Sequence, residues 1–169
     1  MRIFLTGATG YVGSAVLDAL VRVGHDVTAL VRDSHKAKRA AARGARPVVG
    51  DLADPESFRV AADAQDGYIH TALDSTPNRG RAIEDAALDI IIAAARRPRT
   101  AGSPAASRFI IYTSGLWVLG PTTEPASEES PVNPLPFMSW RLEHERKVLN
   151  AASDHLRTCL LYTSDAADE

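Results

Sequence analysis

A glycine-rich turn set between a short apolar run and an amphipathic one constrains this chain more than any other feature. Arg2-Ile-Phe-Leu-Thr6 is β-favouring, ends at a glycine and reads as a buried strand. From Tyr11 to Val23, apolar residues fall at 12, 16, 17, 20, 21 and 23, the spacing of one helix face, and Gly24 closes that helix. Between the two lies Thr6-Gly7-Ala8-Thr9-Gly10-Tyr11-Val12-Gly13. In such a turn Gly7 permits the sharp reversal, Gly10 lets backbone approach a pyrophosphate, and Gly13 lets the helix lie close to the strand. The start of the helix adds unsatisfied amides and the positive end of its dipole. The pattern points to dinucleotide binding. A tight strand-to-helix turn without a ligand is the alternative.

The rest of the chain repeats the alternation. Strands are expected at Asp26–Val31, Arg46–Val49, Tyr68–Ala72 and Arg108–Thr113, with a sixth from His155 onward. Helices are expected at Ser34–Arg43, from Asp54-Pro55-Glu56 onward, at Gly80–Arg96 and at Pro136–Ala152. Residues 97–107 and the proline-rich 121–136 read as loops. Apolar strands alternating with amphipathic helices require a parallel sheet covered on both faces, and right-handed crossovers make it doubly wound. The fold class is α/β, a Rossmann sheet that reaches its sixth strand near the end of the sequence.

Composition excludes several other classes. With 169 residues, 45% hydrophobic and 24% charged, the chain fits one globular domain and neither a disordered nor a collagen-like one. The longest apolar run, Ala86 to Ala95, is interrupted by Asp89 and falls short of the roughly 20 residues of a membrane helix. A formal charge of −2 offers no field suited to nucleic acid or an acidic membrane. Met1-Arg2 leads straight into the first strand, so no secretory leader is expected, and the lone Cys159 suits a cytoplasmic protein.

The G-x-x-G-x-x-G spacing after Thr6 resembles the short-chain dehydrogenase/reductase superfamily, and within it the extended type, the NAD-dependent epimerase/dehydratase family. The resemblance covers residues 1–158. Gly50-Asp51-Leu52-x-Asp54 resembles the segment after strand three, which flanks the adenine; Ile69-His70-Thr71-Ala72 resembles the end of strand four, which passes the ribose. Tyr112-Thr113-Ser114-Gly115, followed by Gly120, resembles the end of strand five, beside the nicotinamide. The resemblance thus implies cofactor contacts from Gly7, Thr9, Gly10, Tyr11, Val12, Gly13, Asp51, Leu52, Thr71, Ala72 and Ser114. It also implies a homodimer contact through the helix at 136–152. The last eleven residues, Cys159–Glu169, resemble the translated read-through of a sequencing adapter. On that expectation residues 1–158 are an incomplete NAD(P)-binding domain whose C-terminal substrate region is missing.

Strand two ends Leu30-Val31-Arg32-Asp33. A carboxylate there would hold the ribose 2′-hydroxyl of NAD, whereas arginine suits the 2′-phosphate of NADP. Arg32, with Lys36 or Lys38 from the next helix, favours NADP over NAD; Asp33 beside it points the other way, and a solvated basic face is the alternative.

The family's chemistry uses a Ser or Thr at strand five and a Tyr-x-x-x-Lys pair on the following helix, with tyrosine as proton donor or acceptor. Arg141, Glu145 and Val148-Leu149 fix the register, so the tyrosine position is Phe137, the lysine position Arg141 and the Ser/Thr position Gly115. Ser114 and Arg141 remain as candidates, the former to orient a substrate, the latter to bind ribose. Glu84 lies near the place of the family's helical asparagine. Trp117 and Trp140 read as pocket walls or core, and His70 as a hydrogen-bonded interior histidine. Glu128, Glu129, Glu143 and Glu145 show no metal-ligand spacing with His144 and read as a solvated face, so no metal is expected. Two functions follow. One is an NADP-dependent oxidoreductase or epimerase relative, with a degenerate triad, acting on a small carbonyl compound or sugar nucleotide. The other is a non-catalytic dinucleotide-binding regulatory or redox-sensing module.

Overall fold

Alternate residues along each strand go to opposite faces of one sheet, and both faces are apolar because helices cover both. The computed structural model describes residues 1–63, 65–74, 76, 79–97 and 107–163. The strands are β1 (Arg2–Thr6), β2 (Asp26–Val31), β3 (Arg46–Val49), β4 (Gly67–His70), β5 (Arg108–Gly115) and β6 (Leu156–Thr163). The helices are α1 (Tyr11–Arg22), α2 (Ser34–Ala42), α3 (Glu56–Asp63), α4 (Gly80–Arg96) and α5 (Ser139–Leu149).

All strand pairs are parallel, in the order β3-β2-β1-β4-β5-β6. The order reverses at β1, so the crevice beyond the carboxyl ends of β1 and β4 is the topological switch point where ligands of such sheets bind. On one face Ile3 and Leu5 pack with Leu17, Val27 and Ala40. On the other, Phe4 joins Phe58, Tyr68, Ile91, Ile110 and Val148. Phe4 stacks on Phe58 with ring centroids 5.9 Å apart. Each such buried side chain contributes about 1.5–3 kcal/mol.

Element order and type agree with the sequence reading, and the differences are at the ends. β4 stops at His70, two residues early, because Thr71 and Ala72 turn away to pack on the glycine turn. β5 runs on to Gly115 because β6 pairs alongside it, from Arg108↔Leu156 to Gly115↔Thr163. Cys159–Thr163, the part of the adapter-like stretch that is described, therefore forms the second half of β6. The expected helix from Pro136 begins instead as a 3₁₀ turn, Pro136–Met138, before α5. Of the loop expected at 97–107, residues 98–106 lie outside the described residues. Among the described residues no helix is long and apolar enough to cross a membrane.

Candidate dinucleotide site and the buried polar row beside it

The turn after β1 is locked to the end of β4. Gly7 has φ +73°, the left-handed region that favours glycine, and a Cβ there would come within 2.6 Å of Thr71 Oγ1 and 2.7 Å of Ala72 N. A Cβ on Gly13 would overlap the carbonyl oxygen of Gly7, so α1 can approach the turn only with glycine at that position. Thr71 Oγ1 donates to Thr6 O at 2.8 Å, and Ala72 N donates to Thr6 Oγ1 at 3.3 Å. Gly10, the N-cap of α1, contributes no side-chain cap, and the first turn carries no acidic residue. Its amides and dipole are left to an external anion.

A cleft of about 340 Å³ opens at the switch point. Gly7, Thr9 and Gly10 line it from the turn, and Arg32 and Lys36 from the end of β2 and the start of α2. Asp51 and Leu52 follow β3, and Thr71 and Ala72 follow β4. The structure thus brings together nine of the residues singled out from the sequence. Tyr11, Val12 and Gly13 form the adjoining first turn of α1 without lining the cleft; Tyr11 is 90% exposed. Thr6, Leu30, Val31, Gly50, Leu73 and Asp74 also line it and were missed. Thr6, Leu30 and Val31 close β1 and β2 and Gly50 follows β3, strand ends where the periodicity could have found them. Leu73 and Asp74 had no such signal.

Arg32 and Asp33 have different places in the structure. Asp33 is the N-cap of α2, its Oδ1 accepting from Lys36 N at 2.7 Å, and that backbone hydrogen bond holds its carboxyl below the ordinary range. Arg32 lines the cleft, and among the described residues its side chain makes no ion pair. Asp51 turns back on its own loop, its Oδ1 accepting from Ala53 N at 2.9 Å.

Ser114 and Arg141 do not line the cleft. Both are buried, in a polar layer on the face covered by α4 and α5. Thr6, His70 and Tyr112 are cross-strand neighbours in one row of the sheet. Thr6 Oγ1 lies 2.8 Å from His70 Nδ1, and His70 stacks on Tyr112 with centroids 5.8 Å apart. Tyr112 OH donates to Glu84 Oε1 at 3.0 Å and accepts from Arg141 Nη1 at 3.1 Å. His70 Nε2 lies 3.3 Å from the same Glu84 oxygen. Burial opposes charge on Glu84, but His70 and Arg141 outweigh it and, with the Tyr112 hydrogen bond, hold the carboxyl below its ordinary range. Burial and the Glu84 charge push the Tyr112 phenol far up, so it stays protonated. Ser114 Oγ donates to Glu145 Oε1 at 2.5 Å, and Tyr162 OH donates to Glu145 Oε2 at 3.3 Å.

That arrangement corrects one expectation. His144 and Glu145 do not lie on a solvated face but are buried with Arg141 and Val148, at helical spacing on the inner side of α5. Glu143 is exposed as expected, paired with Arg81 at 2.5 Å. His70 is fully buried and hydrogen-bonded, in keeping with its reading. Phe137 is exposed in the 3₁₀ turn and meets Trp117 edge-on, centroids 5.5 Å apart. Trp117 is therefore surface, not core. Trp140 is half-buried, donating to Phe137 O at 2.9 Å, with the Arg141 guanidinium 5.2 Å from its ring centroid. Gly115 has room for a side chain, its nearest neighbour to a Cβ being Thr163 O at 3.6 Å. No metal-ligand cluster occurs among the described residues.

A doubly wound parallel sheet, a side-chain-free glycine turn and a cleft at the switch point together define a dinucleotide-binding α/β domain. The chain belongs to the NAD(P)H-binding family, whose model matches residues 7–134. It is 41% identical over 73 residues to an uncharacterized protein of Schizosaccharomyces pombe, covering 43% of this chain and 25% of that protein. It is 40% identical over 72 residues to the 4-hydroxy-2-methyl-3-oxo-4-farnesyl-3,4-dihydroquinoline-1-oxide ketoreductase of Stigmatella aurantiaca, covering 43% of this chain and 22% of the enzyme. Its fold matches the UDP-glucose 4-epimerase of Bifidobacterium longum, solved with NAD+ and UDP, with a TM-score of 0.76 at 20% identity over 96% of this chain and 52% of that one. The matched segments thus span about a quarter of those curated relatives and half of the solved structure.

Proposed function

We propose that residues 1–158 are the cofactor-binding part of an NADP-dependent oxidoreductase or epimerase relative that acts on a small carbonyl compound or a sugar nucleotide and has a degenerate catalytic triad. The observation that carries the cofactor preference is the placement of Arg32 and Lys36 on the cleft while Asp33 is consumed as a helix cap. The Gly7–Gly10 turn and the amides of Tyr11, Val12 and Gly13 hold the pyrophosphate. Arg32 and Lys36 take the 2′-phosphate, Leu52 packs on the adenine side, and Thr71 and Ala72 pass the ribose. When bound, the cofactor supplies hydride chemistry. Ser114, near the end of β5, and Arg141, on α5, lie in the buried polar layer beside the cleft, and in this reading Arg141 is the fixed charge on the ribose side. The Ser114 hydroxyl is donated to Glu145, so it can orient a substrate only after exchanging that partner. The carbonyl and sugar-nucleotide arms rest on the ketoreductase and epimerase likenesses.

Calorimetry of the full chain against NADPH and NADH, wild type beside Arg32→Ala, tests the preference. A charge-assisted contact is worth about 1.5–3 kcal/mol, so NADPH should bind roughly 10–150-fold more tightly than the variant allows, with NADH little changed. Equal affinity of the wild type for both cofactors overturns the proposal.

A further inference from the structure

Asp74 lines the same cleft as Arg32 and Lys36 and has no part in the reading above. β2 and β4 flank β1 on opposite sides, so Arg32 at the end of β2 and Asp74 beyond β4 approach the cleft from opposite flanks. The Asp74 carboxylate is held in place: Thr76 N donates to its Oδ1 at 2.8 Å. Its carbonyl oxygen lies against the start of α4, in the space a Cβ would take on Gly80. The hydrogen bonds from Thr76, and then the charges of Arg32 and Arg79, keep the carboxyl below its ordinary range. Asp33, by contrast, is committed to Lys36 and His35 at the start of α2, and Asp51 to its own loop.

We infer that Asp74 is a specificity-determining residue that weakens the discrimination between the two dinucleotides: a fixed negative charge across the cleft from Arg32 opposes a 2′-phosphate and is nearly indifferent to a 2′-hydroxyl. The inference rests on the Arg32 reading. It goes further in making the preference a balance of two opposed side chains rather than the property of one. Opposed charges at a half-exposed site act over several ångströms and are screened by salt, so the effect belongs to low and moderate ionic strength.

The test titrates the full chain with NADPH and NADH, following cofactor fluorescence at low and high salt. Asp74→Asn keeps the size and the acceptor for Thr76 and removes the charge. NADPH should bind about twofold to fivefold more tightly at low salt, the scale of one exposed charge pair. NADH should be almost unchanged, and the gain should shrink at high salt. Asp74→Glu keeps the charge and should leave the cofactor ratio near the wild type. Asp51→Asn, whose carboxylate faces its own loop, should move the ratio less. If Asp74→Asn tightens both cofactors equally, or Asp74→Glu shifts the ratio as far as Asp74→Asn does, the charge is not the cause and the inference fails. Arg32→Ala separates the two failures. If it equalises the cofactors while Asp74→Asn leaves their ratio alone, the Arg32 reading stands and Asp74 is not a determinant. If it changes neither affinity, both fall together.

Discussion

The glycine turn shows how little tolerance a single atom leaves. Gly13 sits under the turn with no space for a methyl group, while Gly10, whose Cβ would lie 3.3 Å from Gly7 O, has a little. Forcing a methylene into packed surroundings costs about 1–3 kcal/mol. Gly13→Ala should therefore lower stability by about that amount and abolish dinucleotide binding, because α1 can relieve the clash only by backing its amides away from the cleft. Gly10→Ala should retain most of the stability and still hinder the pyrophosphate. Urea unfolding and NADPH titration on the two variants separate these effects; equal stability loss at both positions would contradict the packing argument. Residue spacing alone made this turn legible, because a glycine triplet between strand and helix has few other physical reasons to exist. Asp74 was illegible for the converse reason. Nothing in its neighbourhood marks it, and only the reversal of strand order at β1 brings it to the cleft.

At the scale of elements, α5 is where periodicity misled. Arg141, His144, Glu145 and Val148 have the i, i+3, i+4, i+7 spacing of a buried face, but three of the four are polar, so a hydrophobic pattern cannot reveal it. The face is buried because β5 offers Tyr112 and Ser114 and α4 offers Glu84, a polar layer that answers it. Removing one member of a buried charged set leaves the others without compensation, at about 3–5 kcal/mol. Glu84→Gln, which keeps an acceptor for Tyr112, should fall at the lower end of that range at neutral pH. The pH dependence has a definite sign. Glu84 titrates lower in the folded chain than in the unfolded one. Its contribution is therefore full above the unfolded carboxyl range and is lost as pH falls through the folded value. Urea midpoints of wild type and Glu84→Gln should differ most near neutrality and converge in acid. A gap that does not change with pH would show that shape, not charge, holds β5, α4 and α5 together.

For the whole molecule, the doubly wound parallel sheet was legible because it depends on local alternation plus the right-handedness of crossovers, whereas the strand order β3-β2-β1-β4-β5-β6 is read from the structure. The catalytic question is different, since it depends on three elements meeting. Gly115 lies at the end of β5, Phe137 in the 3₁₀ turn and Arg141 inside α5, the positions where the register read from the sequence would put the hydroxyl, phenol and amine of the epimerase/dehydratase chemistry. Phe137 has no titratable group, and arginine cannot exchange protons near neutrality. General acid–base catalysis by a positioned side chain contributes about 10²–10⁴-fold, so the tyrosine route should be missing from this chain to that extent. The structure says how each restoration would behave. Gly115→Ser has room beside Thr163 O, and Phe137→Tyr places its hydroxyl at the surface. Arg141→Lys is the costly step, because Arg141 Nη1 holds Tyr112 OH at 3.1 Å and a lysine must meet the Glu84 charge without that bond. Each single change should leave turnover near background, since residues that act as a unit are strongly non-additive. The triple variant should raise NADPH oxidation against a carbonyl panel, with a rate that climbs and then levels as the new phenol titrates. Binding of NADPH, measured in parallel, should persist in every variant and so separates lost chemistry from lost fold. Rapid turnover by the unmodified chain, unchanged by substitutions at 115, 137 and 141, would place the proton donor elsewhere, and Ser114→Ala would then be the decisive variant.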